Sequence, residues 1–302
     1  MDFRLNSDQE SLVSAIDKLA GQFEAKPTDF HGFALAGPAL EKELEEGGYF
    51  DIAQVPEFGP LCAAMAVERL ARLPYTAEAA LSMLVRPQLP GEWPRPLAVV
   101  ENGGPGRFVA GAQTIVLIDG DEVGLTQPDA NATASVESLF AYPMGKLSKR
   151  GAVIRLNAQD ASNVRKWLRV ALAAEASGLL RAAVDSAVNH LTQRKQFGRP
   201  LGTFQALRHR MAECAVLSGG VRWLALKAAG TQDAGDAALA AMHAQESATR
   251  VIYDVHQMLA AMGMTLEHPL HLWTYRLKAL LSELGGRGGQ ALAVAQSVFN
   301  QT

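Results

Sequence analysis

Apolar residues recur at helical spacing near both ends of the chain and in short, broken runs in the middle. Leu12, Ile16, Leu19 and Phe23 share one helical face behind Ser7-Asp-Gln-Glu10, which reads as a capping box opening a helix to about Phe23. Residues 38–46 predict a short acidic helix, closed by Gly47-Gly48. Residues 49–56 read as a buried connector, and 61–73 and 76–84 as two helices parted by Pro74. At Pro87 the texture changes. β-like runs at 97–100, 107–109, 114–118, 123–126 and 152–156, punctuated by Gly, Asp, Asn and Pro, predict small antiparallel strands. Helical spacing returns at Ser162 and continues to 193, with Val164, Leu168, Leu172, Leu179, Val184, Val188 and Leu191 on the apolar side. Further helices are predicted at 203–227, 237–262, 274–284 and 290–299.

Long helices with short connections form antiparallel bundles. The pattern therefore predicts a mostly α chain with a small β insert, an α+β architecture. Its parts are an N-terminal helical domain (1–90), a shortened β-domain (91–157) and a C-terminal four-helix bundle (158–302).

Composition narrows the function. Of 302 residues, 48% are hydrophobic, enough for a sizeable core, and the net charge of −3 gives no basic face for a nucleic acid. Cys62 and Cys214 lie in apolar helical stretches without metal-ligand spacing and read as reduced core residues. The polar start lacks a secretory core, and no apolar run approaches the ~20 residues of a membrane span, so a cytoplasmic protein is expected.

One stretch carries concentrated chemistry: Arg194-Lys-Gln-Phe-Gly-Arg-Pro-Leu-Gly-Thr-Phe-Gln205, lying between two long helices. A guanidinium fork suits a pyrophosphate, an amide can pair with a purine edge, and a Phe ring can stack on an aromatic face. A solvated basic turn with two core Phe residues has the same composition. The string resembles the signature R-x-Q-F-G-x-P-L-x-x-F-Q of the acyl-CoA dehydrogenase family, and the order helical, β, bundle is similar to that family's domain order.

The resemblance implies FAD as cofactor and conversion of an acyl-CoA thioester to its α,β-enoyl form. A carboxylate removes the α-proton and hydride passes to the flavin. It places Arg194, Lys195, Gln196 and Phe197 at the FAD pyrophosphate, followed by Phe204 and Gln205, usually reaching the FAD of a neighbouring subunit. Gln257 and Gly263 match a second FAD segment, Q-x-x-G-G-x-G-like, whose paired glycines are here Ala260 and Ala261. Thr265, Glu267 and His271 resemble a T-x-E-x-x-x-H stretch of one subgroup. Arg169 matches a family arginine and is expected on the substrate side.

The resemblance also exposes two departures. The family's catalytic glutamate falls at Gly285 or at Leu168, and neither is an acid. Helical geometry turns Glu283 to the face opposite Gly285 and sets Glu175 about 10 Å beyond Leu168, so neither is expected to serve as base. A T-E-P-x-x-G-S-D-like segment is replaced by Val100-Glu-Asn-Gly-Gly-Pro-Gly106, and the glycine-rich pieces 103–106 and 285–289 read as turns. The chain is thus similar to the short, base-less subunits of heterotetrameric acyl-CoA dehydrogenases of steroid side-chain degradation. A longer partner subunit is expected to supply the glutamate and the acyl-CoA pocket. Other readings are a self-sufficient dehydrogenase with Glu283 as displaced base, a flavin monooxygenase-like enzyme, and a non-catalytic assembly subunit.

Overall fold

A computed structural model describes residues 3–24 and 33–299. The first helix, α1 (Ser7–Gln22), is capped by Asn6, not Ser7. The Asn6 side chain accepts the Asp8 and Gln9 N–H groups while Gln9 Oε1 accepts the Asn6 N–H. The box thus starts one residue earlier than expected, because Asn caps as well as Ser and Gln9 lies three residues beyond it. α2 (Pro38–Glu46) ends at Gly47, and the following 3-10 turn Tyr49–Gln54 buries Phe50 and Ile52. α3 (Gly59–Ala71) is nearly as predicted. The helix expected over 76–84 shrinks to α4 (Ala80–Leu84). Its first residues are held extended, since Thr76 donates both its N–H and its hydroxyl to the Leu35 carbonyl.

The middle of the chain forms two small sheets. One has the order β1 (Leu97–Glu101), β3 (Thr114–Asp119), β4 (Glu122–Thr126), β7 (Ile154–Arg155). The other has the order β2 (Gly106–Arg107), β6 (Met144–Leu147), β5 (Thr133–Ser135). β1 and β3 are parallel, against the expectation of antiparallel strands throughout. The connection between them leaves through β2 and the 3-10 turn Val109–Gly111, so β3 re-enters in the same direction. Gly106 and Gly145 face each other across β2 and β6. A Cβ on Gly106 would lie 2.2 Å from the Val99 carbonyl oxygen, and one on Gly145 2.4 Å from the Ala110 nitrogen. Only glycines let the second sheet lie this close to β1, at Gly106, and to the 3-10 turn Val109–Gly111, at Gly145, and Arg107 follows Gly106 toward the helices.

The helical remainder comprises α5 (Ala158–Gln193), α6 (Gln205–Thr231), α7 (Ala234–Leu259), α8 (His271–Leu280) and α9 (Gly286–Phe299). Asn157 caps α5 and Asp233 caps α7, each accepting a backbone N–H three residues on. α5 is the central element, packing on α3, α6, α7 and α8. Gly178 lets α3 approach, since a Cβ there would stand 2.1 Å from the Glu68 carbonyl oxygen. One hydrophobic core runs from Ile16 of α1 to Leu280 of α8. Arg276, 2% exposed, donates to the Leu272, Tyr75 and Leu73 carbonyls and fastens α8 to the chain after α3.

Two predicted helices stop early. The one expected over 237–262 ends at Leu259 and gives way to a 3-10 turn, Ala260–Met264. The one expected over 274–284 ends at Leu280, before a turn in which Leu284, Gly285 and Gly286 all have positive φ (56°, 80° and 62°). Among the described residues, no helix is long and apolar enough to cross a membrane.

Candidate functional site

α5 ends where Arg194 turns extended, at φ −73° and ψ 120°. Two short strands follow, β8 (Lys195–Gln196) and β9 (Arg199–Pro200), paired as a hairpin whose two-residue loop is Phe197-Gly198. Both loop residues have positive φ, 55° and 80°, the pattern of a type I′ turn, which Asn-Gly fills with least strain. Here the first position is a phenylalanine. The residue is 88% exposed; its ring meets the Phe204 ring edge-on at 6.0 Å and neighbours Arg199, whose guanidinium lies 4.1 Å from the Phe204 centroid. The Leu201 N–H donates to the Arg194 carbonyl and closes the base of the hairpin. Arg194, Lys195, Gln196 and Arg199 are all exposed. α6 begins at Gln205, itself exposed, behind half-buried Phe204 and without a side-chain cap. An uncapped helix start thus follows directly on a hairpin with three exposed cations, and each of these favours an anion.

The second segment lies at the same end of the bundle, where the His190 ring of α5 meets the His268 ring edge-on at 5.4 Å. Burial and the nearby Arg194 charge both lower the His190 pKa. Gln257 is exposed on the last turn of α7. Gly263 is buried under that helix end, where a Cβ would come within 2.7 Å of the His256 carbonyl oxygen. Ala260 has φ 51° and ψ −130°, a conformation suited to glycine. The backbone course of a glycine loop is kept although the glycine is not. Glu267 is exposed; His271 is buried in the first turn of α8 beside Tyr275. A groove of about 870 Å³ runs beside this end between α1, α3 and α5, but its two arginines are engaged, Arg69 by Asp17 and Glu24 and Arg72 by Glu68.

Leu168 and the turn before Gly285 meet elsewhere, in a cavity of about 260 Å³ between β1, β2, α4, α5 and α8. Its lining is mostly apolar and includes Leu81, Val99, Leu168, Leu172, Met144 and Leu284. At one side stands a charged cluster that the sequence reading did not find. Arg107 pairs bidentately with Glu283, Nε to Oε1 at 2.6 Å and Nη2 to Oε2 at 3.0 Å. Its Nη1 donates to Glu175 Oε2 at 2.9 Å. The Tyr142 hydroxyl donates to the other Glu175 oxygen at 2.6 Å, and its ring lies 4.6 Å from the guanidinium. Burial opposes the Arg107 charge, but the Glu175 and Glu283 carboxylates outweigh it and hold the group above its ordinary pKa. Burial, then the Glu175 charge, push the Tyr142 hydroxyl well up. Glu101 accepts the Leu284 N–H at 2.8 Å, and its carboxyl is raised by burial.

Glu283 therefore does not turn away from the cavity, as helical extrapolation predicted. α8 has already ended, and the turn carries Glu283 inward. Glu175 sits two turns beyond Leu168 on the same face and lines the same cavity. Arg169 donates from Nε to Gln290 Oε1 at 2.7 Å, and buried Gln290 donates to the Leu284 carbonyl at 2.8 Å. Gln245, also buried, donates to the Leu280 and Glu283 carbonyls. The turn is pinned from three sides.

Residues 161–299 match the family model for the acyl-CoA dehydrogenase C-terminal domain. The chain is 31% identical over 205 residues to acyl-CoA dehydrogenase FadE34 of Mycobacterium tuberculosis, a match covering 64% of this chain and 29% of that protein. The chain thus spans less than a third of that relative's length. Its fold is similar to one chain of the ChsE4-ChsE5 complex from Mycobacterium tuberculosis, with TM-score 0.76 and 20% identity over the full length of both. It is equally similar to a chain of the Tcur3481-Tcur3483 steroid ACAD, G363A variant, with TM-score 0.76 and 20% identity over 98% of this chain and 99% of that one. At such identities the likeness is one of fold.

Proposed function

We propose that this chain, whose residues 161–299 match the acyl-CoA dehydrogenase C-terminal domain, is one subunit of a heteromeric, FAD-dependent acyl-CoA dehydrogenase. A longer partner subunit supplies the catalytic glutamate and the acyl-CoA pocket. The observation that carries this reading is a separation. The cationic, aromatic hairpin faces outward and is fully shaped, while both positions for a base, Gly285 and Leu168, carry no acid.

Arg194, Lys195 and Arg199, with the uncapped start of α6, fit a pyrophosphate. Gln196 and Gln205 offer amides for polar edges, and the exposed Phe197 ring, supported by Phe204, offers a stacking face. Gln257 and the loop over Gly263 lie at the same end and complete this side of the dinucleotide site. When bound, FAD supplies the hydride-accepting ring. The chain's own residues hold and orient it from outside the reacting centre. Arg169, committed to Gln290, acts by holding the turn at Leu284 and α9 against α5. The acyl class we assign is a steroid side-chain CoA ester, which the likeness to a two-component steroid enzyme supports.

Glu283 is a poor candidate for a displaced base. Its carboxylate is held bidentately by the buried Arg107 guanidinium, so taking up a substrate proton would leave that cation with a neutral partner.

The test is co-expression with a longer, glutamate-bearing acyl-CoA dehydrogenase subunit. The heteromer should show a flavin spectrum, and Arg194→Ala combined with Arg199→Ala should strip FAD from it without dissociating the subunits. Full FAD content in that double variant would refute the role of the hairpin.

A further inference from the structure

We propose that Arg107, clamped between Glu175 and Glu283, occupies this chain's own cleft between sheet and bundle and keeps it closed to a flavin ring or an acyl thioester. Its consequence rests on the subunit reading above: the chain meets the dinucleotide only at its outward end, through the hairpin and the loop over Gly263.

The geometry is built for closure. Gly106 allows the second sheet to press onto β1 and Gly145 lets it close on the 3-10 turn Val109–Gly111, and Arg107, next to Gly106, reaches the helices. From the helix side, the break after Leu280 swings Glu283 inward, and Gln245, Gln290 and Glu101 fix the turn by hydrogen bonds to its backbone. From α5, Glu175 completes the clamp, itself held by Tyr142. The cluster thus joins β2, α5 and the turn after α8, the three walls between which a ligand would lie. Arg107 and Glu175 side chains are each only 9% exposed. A buried guanidinium engaged by two carboxylates cannot be displaced by a neutral ring without leaving uncompensated charge.

Space points the same way. The remaining cavity is about 260 Å³. Sites for drug-sized molecules run from about 300 to 1,000 Å³. The void beside Arg107 lies at the lower edge of that range, too small for a flavin ring and a thioester together. Its walls are mostly apolar, but one side is taken up by the protein's own charges, Arg107, Glu175 and Glu283.

The test uses lumiflavin, the ring system without ribityl chain or pyrophosphate, so the hairpin plays no part. The isolated wild-type chain should give no saturable quenching of lumiflavin fluorescence. The variant Arg107→Ala with Glu175→Gln and Glu283→Gln removes the cation and both charges together, avoiding an unpaired buried charge. This variant should gain saturable quenching, and adding Leu168→Trp, which refills the cavity, should abolish the gain. Saturable quenching by the wild type that Leu168→Trp removes would overturn the proposal, as would a folded triple variant that binds no better than wild type. A readout independent of variants is amide hydrogen exchange of wild type at residues 144–147 and 283–285. Lumiflavin should leave it unchanged, and added protection would contradict closure. The outcome is separable from that of the subunit reading, which FAD retention by the hairpin variants decides.

Discussion

Substituting Phe197→Asn should raise the stability of the isolated chain and weaken FAD retention by the assembled enzyme. Phe197 stands at the first position of a two-residue loop with φ 55°, followed by Gly198 at φ 80°. A left-handed conformation costs an L-residue roughly 1–2 kcal/mol, and Asn tolerates it better than a bulky side chain. Little opposes that gain. The residue is 88% exposed, and among the described residues its aromatic partner is Phe204, which meets it edge-on at 6.0 Å. Such a pair contributes up to about 1 kcal/mol when buried and less in water. The net expectation is a gain of about 0.5–1 kcal/mol, a rise in Tm of about 2 °C for a chain of this size. The same change removes the stacking face, so FAD should leave the heteromer more readily by roughly 1 kcal/mol, about fivefold in affinity. Thermal unfolding by circular dichroism reads the first effect, and flavin absorbance after dialysis reads the second. A drop in stability would show that the ring serves the fold. Unchanged FAD retention would show that it does not serve the cofactor.

Ala260→Gly should stabilise the chain by about 1 kcal/mol, because φ 51° with ψ −130° suits glycine; chemical denaturation measures it. Gly178→Ala should cost about 2–3 kcal/mol, since its Cβ would enter at 2.1 Å from the Glu68 carbonyl oxygen and force α3 off α5; a melting curve decides. Burial pushes the Glu78 carboxyl up to about 7, against the donors Ser82 and Leu97. The native state then keeps a proton that the unfolded chain has lost between about pH 4.3 and 7, so stability should fall as pH rises through that window, by up to about 3 kcal/mol. Glu78→Gln should flatten the slope, and a slope that persists in the variant would assign it to other groups.

Much of this fold is legible in the chain. Helical spacing locates α1, α2, α3 and the long α5 to within a few residues, because their apolar faces are regular and their caps are local. Helix ends are less legible where the break is tertiary. Nothing local at residues 281–284 announces that three side chains from elsewhere will hold the turn open. The hairpin could be read as chemistry because its residues are adjacent, although its type I′ shape, with a Phe at the strained position, could not. The cluster around Arg107 was missed for the opposite reason. Its partners lie 68 and 176 residues away, and in sequence Arg107 is one cation opening a β-like run. Gly106 before it belongs to a glycine-rich run that reads as a turn, yet it stands in β2, where it allows close backbone approach.

The central claim is a division of labour between two polypeptides, and turnover by the purified chain alone tests it most directly. Supplied with FAD, a steroid side-chain acyl-CoA and an artificial electron acceptor, the isolated chain should form no enoyl-CoA, and activity should appear when the glutamate-bearing subunit is added. Steady dehydrogenation by this chain without a partner would contradict the account.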